Sequence, residues 1–181
     1  MIPKIPNFET LEVSIEQQVA TVCLNRPDKA NAMNAPMWEE LQRCFEWLDQ
    51  QPSVRAVILA GNGKHFCAGL DLREHYEKDR TPIEFMTMCQ DWHRTFDVIQ
   101  FSGIPVIAAL QGAVVGGGLE LAAATHVRIA EAGTFFALPE GQRGIFTGGG
   151  ATVRVSRIVT AARMVDMMLS ARSYDAQRGL D

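Results

Sequence analysis

The chain has few of the residues that staple small secreted proteins or hold metals. Its four cysteines, Cys23, Cys44, Cys67 and Cys89, include no close pair. That excludes both a zinc-finger spacing and a disulfide framework. They read instead as small buried hydrophobes in a reducing compartment. His65, His75, His93 and His126 lack the spacing of metal ligands, so no metal site is expected. Neither sign of charge dominates: 17 Lys and Arg stand against 21 Asp and Glu, net −4, with no charged tail. Nothing therefore points to nucleic acid or to a membrane surface. The longest apolar runs are broken by glycine or charge well short of a bilayer span. The opening Met1-Ile2-Pro3-Lys4 has no basic stretch followed by an apolar run, so no secretory leader is expected and the cytoplasm is the expected location. Nucleotide signatures are missing too. Gly116-Gly117-Gly118 does not fit G-x-G-x-x-G and no Lys-Ser/Thr pair follows it, while Phe66 occupies the third glycine position after Gly61 and Gly63. There is no G-x-S-x-G nucleophile elbow.

What is present is an ordinary globular composition over 181 residues, 47% apolar and 21% charged. Without internal repeat or linker it reads as a single domain, 1–181. Two strands are expected at 8–15 and 19–25, joined by the polar turn at Gln17 and Gln18. Asn34 caps a helix reaching about Gln51, with Pro36 in its first turn and Trp38, Leu41, Phe45 and Leu48 as its apolar stripe. The run from Val54 to Ala60 is apolar on both faces, which suggests a strand buried between layers of a parallel sheet. A short helix follows from Leu70 to about Arg80. Thr81-Pro82-Ile83-Glu84 is a capping box opening a helix to about Phe101, striped by Phe85, Met88, Trp92, Phe96 and Ile99. Further strands are expected at 105–110, 126–130 and 134–137, a short helix from the triple glycine to Ala124, one long helix after Gly148-Gly149-Gly150 to about Ser170, and a helical start at 175–180. Met164, Met167 and Met168 read as core or subunit interface. Alternation of strand and helix favours an α/β fold with helices on sheet faces.

Two features carry chemistry. Glycine-rich turns at Gly69 and at Gly117 each sit where a strand passes into a helix, so both can aim free backbone N–H groups at one point and hold an oxygen that gains charge. Glu120 and Glu140, twenty residues apart, both lie in apolar surroundings. A carboxylate inside Gly-Gly-Gly-Leu-Glu-Leu-Ala-Ala-Ala is unusual without a partner or a task. Two carboxyls close together in a dry pocket titrate as a unit with at least one raised pKa.

Four segments occur in register: 25–33 (Asn-Arg-Pro-Asp-Lys-Ala-Asn-Ala-Met), 64–72 (Lys-His-Phe-Cys-Ala-Gly-Leu-Asp-Leu), 105–120 ending in Gly-Gly-Gly-Leu-Glu, and 135–141 (Phe-Phe-Ala-Leu-Pro-Glu-Gly) with its later glycine cluster. Together the chain resembles the enoyl-CoA hydratase/isomerase (crotonase) family from about Phe8 onward. The resemblance implies a crotonase-like spiral of repeated β-β-α units. It also implies an enzyme acting on an acyl-CoA, with the amides of Leu70 and Gly117 as oxyanion donors and a water held between Glu120 and Glu140. Hydration of a trans-2-enoyl-CoA to a 3-hydroxyacyl-CoA is the implied reaction. An isomerase and a non-catalytic acyl-CoA binder are the alternatives. The family's dienoyl-CoA isomerases carry an Asp eight residues after the second acid, where this chain has Gly148. Its 3,2-trans-enoyl-CoA isomerases keep only the later acid, and its dehalogenases and decarboxylases use other residues there. Lys29, Ala68, Arg73 and Gly116 are the implied substrate contacts, Lys29 and Arg73 to phosphates, although both cations also fit a solvated surface. No metal or redox cofactor is implied, since coenzyme A enters with the substrate. A homotrimer or hexamer is the family's tendency. Two departures stand out. Gln142 and Arg143 replace the usual apolar residues after the second acid, and the family's further C-terminal helical segment, which closes the site and helps build trimers, is expected to be missing or cut short here.

Overall fold

The structure, a computed structural model, describes residues 4–180. β1 (Leu11–Glu16) and β2 (Val19–Leu24) form the expected antiparallel hairpin, with Gln17 and Gln18 both at positive φ in the turn. β3 (Ala56–Gly61), β4 (Val106–Leu110) and β6 (Val127–Ala130) then add in parallel, giving a five-stranded sheet of order β1-β2-β3-β4-β6. A second sheet stacks β5 (Ala113–Val115), β7 (Phe135–Ala137) and β8 (Tyr174–Asp175) in the order β5-β7-β8. The mixed α/β architecture is that of the crotonase fold.

The expectation that β3 is buried on both faces is corrected. Val57 and Leu59 are fully buried, whereas Ala56, Ile58 and Ala60 on the other face are only half-buried. One face of the sheet is thus covered by helices and the other is partly open.

α1 (Ala35–Asp49) starts where Asn34 Oδ1 accepts the Met37 amide at 3.3 Å, and buries its stripe of Trp38, Leu41, Phe45 and Leu48. α3 (Pro82–Gln100) opens on the capping box read from the sequence, Thr81 and Glu84 bonding each other's backbone reciprocally. The two helices meet through aromatic rings: Trp38 stacks on Trp92 and tilts against Phe96, both at 5.2 Å between centroids. α2 (Leu72–Glu77) is a short turn after the second motif, shorter than expected. α4 (Gly117–Ala124) follows the triple glycine and is buried over almost its whole length.

The long C-terminal helix expected from periodicity is instead two, α5 (Arg154–Val159) and α6 (Ala161–Ser170), followed by α7 (Ala176–Leu180). The break falls at Thr160, whose φ of 76° leaves the helical region while its side chain caps α6 at the Arg163 amide. Met164 and Met167 are core residues and Met168 packs against them half-buried. Cys44 and Cys67 are buried, with burial pushing both thiols up to about 12, but Cys23 and Cys89 are only half-buried.

Candidate active site

The geometry starts from main-chain pairing. Cys67 bridges to Val114 of β5: the Cys67 amide donates to the Ala113 carbonyl at 3.1 Å and the Val115 amide to the Cys67 carbonyl at 3.0 Å. Met33 likewise bridges to Leu70, its amide donating to the Gly69 carbonyl at 2.7 Å. These bonds lay the 67–71 segment alongside the start of α4. Gly69 and Gly116 need glycine here, at φ +99° and +54°. A Cβ on Gly118 would run into the Cys67 carbonyl oxygen, so the two strand-to-helix turns touch backbone to backbone.

As a result the amides of Leu70 and Gly117 flank one small gap. A Cβ on Gly117 would lie 3.7 Å from the Leu70 nitrogen, and one on Gly69 3.3 Å from the Gly117 nitrogen. Among the described residues neither amide donates to any acceptor in the chain. Gly117 begins α4, where a first-turn amide has no intrahelical partner. Two free donors beside one gap can hold a developing negative charge.

Beyond the gap is a cavity of about 100 Å³. Glu120 and Glu140 both line it, with Ala68, Leu70, Gly116 and Gly117 at one end and Trp38, Leu72, Trp92, Ile145 and Phe146 along the walls. Glu120 points in from the first turn of α4 and is 4% exposed. Its Oε1 accepts the Gly149 amide at 3.0 Å and the Ala151 amide at 2.8 Å. Burial pushes its carboxyl up to about 7. The Glu140 charge adds to that, while the Ala151 and Gly149 amides and the Arg154 guanidinium pull the other way.

Glu140 stands in a 3-10 turn, Pro139–Arg143, at the end of β7. It is 7% exposed, and its buried Oε2 has no partner. Burial raises its pKa, against its own backbone amide and the nearby Arg143 charge, which lower it. A Cβ on Gly116 would come 2.9 Å from Glu140 Oε1, so the glycine that frees the Gly117 amide also makes room for the second acid.

The structure therefore brings Glu120, Glu140, Leu70, Gly116, Gly117 and Ala68 to one cavity. It leaves Lys29 and Arg73 off its walls: Lys29 is exposed on the turn Pro27–Lys29, and Arg73 is paired with Glu77 at 2.8 Å on the open side of α2. Arg143 lines the cavity mouth, whereas Gln142 does not. Several contributors were invisible in the sequence reading. The Gly149 and Ala151 amides hold Glu120. The Arg26–Asp71 pair at 2.9 Å ties the first motif to the second. Asn31 bonds the carbonyls of Asn62 and His65 at 2.9 and 2.8 Å. Arg26 and Asn31 lie inside the quoted motif 25–33, which was the available signal; nothing local marks the amides.

An α/β fold that sets two buried carboxyls across a small cavity from two free backbone amides has the groups that general acid–base chemistry beside an oxyanion-type pocket would need. Residues 14–181 match the enoyl-CoA hydratase/isomerase family. The chain is 35% identical over 180 residues to a mevalonyl-coenzyme A hydratase of Beauveria bassiana, covering 95% of this chain and 64% of that protein. It is 32% identical over 186 residues to the mitochondrial Delta(3,5)-Delta(2,4)-dienoyl-CoA isomerase of Mus musculus, covering 97% and 57%. Among solved structures, a Rhodopseudomonas palustris CGA009 protein provisionally named an enoyl-CoA hydratase superposes with a TM-score of 0.92 at 49% identity, covering 98% of this chain and 67% of that one. The chain belongs to the enoyl-CoA hydratase/isomerase family, and it spans between 57% and 64% of the length of these two curated relatives.

Proposed function

We propose that the chain carries the acid–base centre of an enoyl-CoA hydratase, adding water across the double bond of a trans-2-enoyl-CoA. The observation that carries this reading is the pair Glu120 and Glu140 lining one cavity beside the unpaired Leu70 and Gly117 amides. The thioester oxygen would sit between those amides, which take up the charge as the enolate forms. Ionised Glu120 removes a proton from water as the water oxygen bonds to C3. Protonated Glu140 delivers its proton to C2, so one proton enters the pair and one leaves it. The two amides on Glu120 Oε1 favour its ionised form, and the partnerless Oε2 of Glu140 is where a proton can sit. A base near pH 7 suits proton transfer at neutrality, so activity should fall as the pH drops below about 7.

Gly148 argues against dienoyl isomerisation. A Cβ there would already be 3.1 Å from Trp92 and 3.3 Å from the Cys89 sulfur, so a third acid at that position would displace the wall. A single-acid isomerase using Glu140 alone is the second reading, favoured by that residue's free buried oxygen. Crotonyl-CoA hydration, followed by loss of enoyl absorbance, tests both. Glu120→Gln and Glu140→Gln should each lower kcat by about 10²–10⁴. Glu120→Gln with isomerisation of a 3-enoyl-CoA intact would move the assignment to the isomerase. Binding of an acyl-CoA without turnover would leave a non-catalytic binder.

A further inference from the structure

Arg154, 6% exposed, is the only buried cation among the described residues. A guanidinium taken out of water is tolerated only when its donors are matched, and here they are. Nε donates to Gln100 Oε1 at 2.7 Å, Nη1 to the Gly149 carbonyl at 3.2 Å, and Nη2 to the Asp97 carboxylate. The group also lies 5.7 Å from the Phe96 ring centre. Asp97, Phe96 and Gln100 all belong to α3, whereas Gly149 belongs to the glycine loop before α5. The arginine thus fastens that loop to α3.

The same peptide units carry the bonds that matter to Glu120. Gly149 gives its carbonyl to Arg154 and its amide to Glu120 Oε1, and the Ala151 amide completes the pair. Three consecutive glycines have wide backbone freedom when nothing holds them. Gly150 sits at φ +102°, and a Cβ on it would come 2.5 Å from Arg154 Nη1, so loop and guanidinium are closely applied. Arg154 itself does not line the acid cavity.

We propose that Arg154 is a positioning residue: by clamping the Gly148–Gly150 loop to α3 it aims the Gly149 and Ala151 amides at Glu120 and holds that carboxylate ready as a base. This rests on the acid–base role proposed for Glu120. Other charged or titratable groups also face Glu120. Glu140 approaches from the 3-10 turn with Arg143 beside it, and Cys89 from α3; on the far side of the loop Asp97 pairs with Arg154 and His93 packs against Gly150. Asp97 bears on Glu120 through Arg154, so loosening either end of that pair should act on Glu120 in the same sense.

The test is to follow the Glu120 carboxyl by ¹³C NMR in glutamate-labelled protein, its signal assigned by its loss in Glu120→Gln, beside pH profiles for crotonyl-CoA hydration. Arg154→Met should move the Glu120 titration and the acid limb of kcat up by about one pH unit, with kcat down roughly tenfold and KM within about twofold. Asp97→Asn keeps a hydrogen-bond acceptor, and its side chain is 51% exposed, so folding should survive if Arg154→Met does not fold. It should move both readouts up by a smaller step, because a neutral acceptor holds Arg154 less firmly, whereas loss of the Asp97 charge alone would move them down. Arg154→Lys, which keeps charge but not the fork, should also move both readouts up and lower kcat, whereas an effect of charge alone would leave them in place. Titrations that stay put in Arg154→Lys, or move down in Asp97→Asn, would overturn the clamp while leaving the hydratase reading in place. Upward shifts of the NMR titration in these variants, in a protein whose wild type hydrates nothing, would uphold the clamp and remove the hydratase reading.

Discussion

At the scale of single residues, the role proposed for Glu120 shows how a function can oppose stability. The folded pKa of Glu120, about 7, lies above the ordinary glutamate value of 4.5. The native state therefore binds the proton more tightly than the unfolded chain does. The stabilisation from protonation is complete below about pH 4.5 and is lost as pH rises through about 7. Above pH 8 the buried charge costs the fold about 3 kcal/mol, by conversion of that shift. Glu120→Gln, which can still accept the Gly149 and Ala151 amides, should be inactive yet have a higher Tm than the wild type at pH 8.5. The two should differ little at pH 5. Thermal melts across pH check this, and an equal difference at both pH values would show that the charge is not the cause. Glu120 and Glu140 were legible in the sequence because carboxylates rarely sit in apolar runs. The donors to Glu120 were not, since they lie 29 and 31 residues away and are backbone groups that any residue could supply.

At the scale of elements, legibility followed local chemistry. The cap at Asn34 and the capping box at Thr81 announce α1 and α3, and their apolar stripes fall on the buried faces. Thr81→Ala should cost about 1 kcal/mol in urea unfolding, because it removes the bond to the Glu84 amide and one of the two bonds to the Glu84 carboxylate. β5 was not legible: three residues between Gly112 and Gly116 are too few to show alternation, and they are a strand only because 67 and β7 lie on either side. The break between α5 and α6 was missed for the opposite reason. Apolar periodicity runs on through Thr160, and only tertiary packing holds that residue at positive φ.

At the scale of the whole molecule, α4 is the partition. Gly117 and Glu120 face the acid cavity, while Leu119 and Ala123 face a second, larger groove of about 630 Å³ lined also by Leu110, Phe136, Ile158 and Tyr174. The acid cavity draws its walls from α1, α3, α4, the 67–72 segment and the 3-10 turn after β7, so occupying it should restrain all of them together. A non-hydratable saturated acyl-CoA at one hundred times its Kd should therefore stabilise the chain by about 2.7 kcal/mol, read as a concentration-dependent rise in Tm. An unchanged Tm at saturating ligand would count against an acyl-CoA site.

The anion-holding gap is made of peptide groups fixed by other peptide groups: 33 to 69, 67 to 113, 115 to 67, and Gly116 to the Ala137 carbonyl at 2.8 Å. The cavity walls, in contrast, are side chains such as Trp38, Leu72 and Ile145. In the proposed hydratase, reactivity and selectivity would thereby be written in different parts of the polymer. On the function proposed here, the walls could be redrawn by drift or by design to admit another acyl shape, while the peptide groups that would hold the thioester oxygen keep their form.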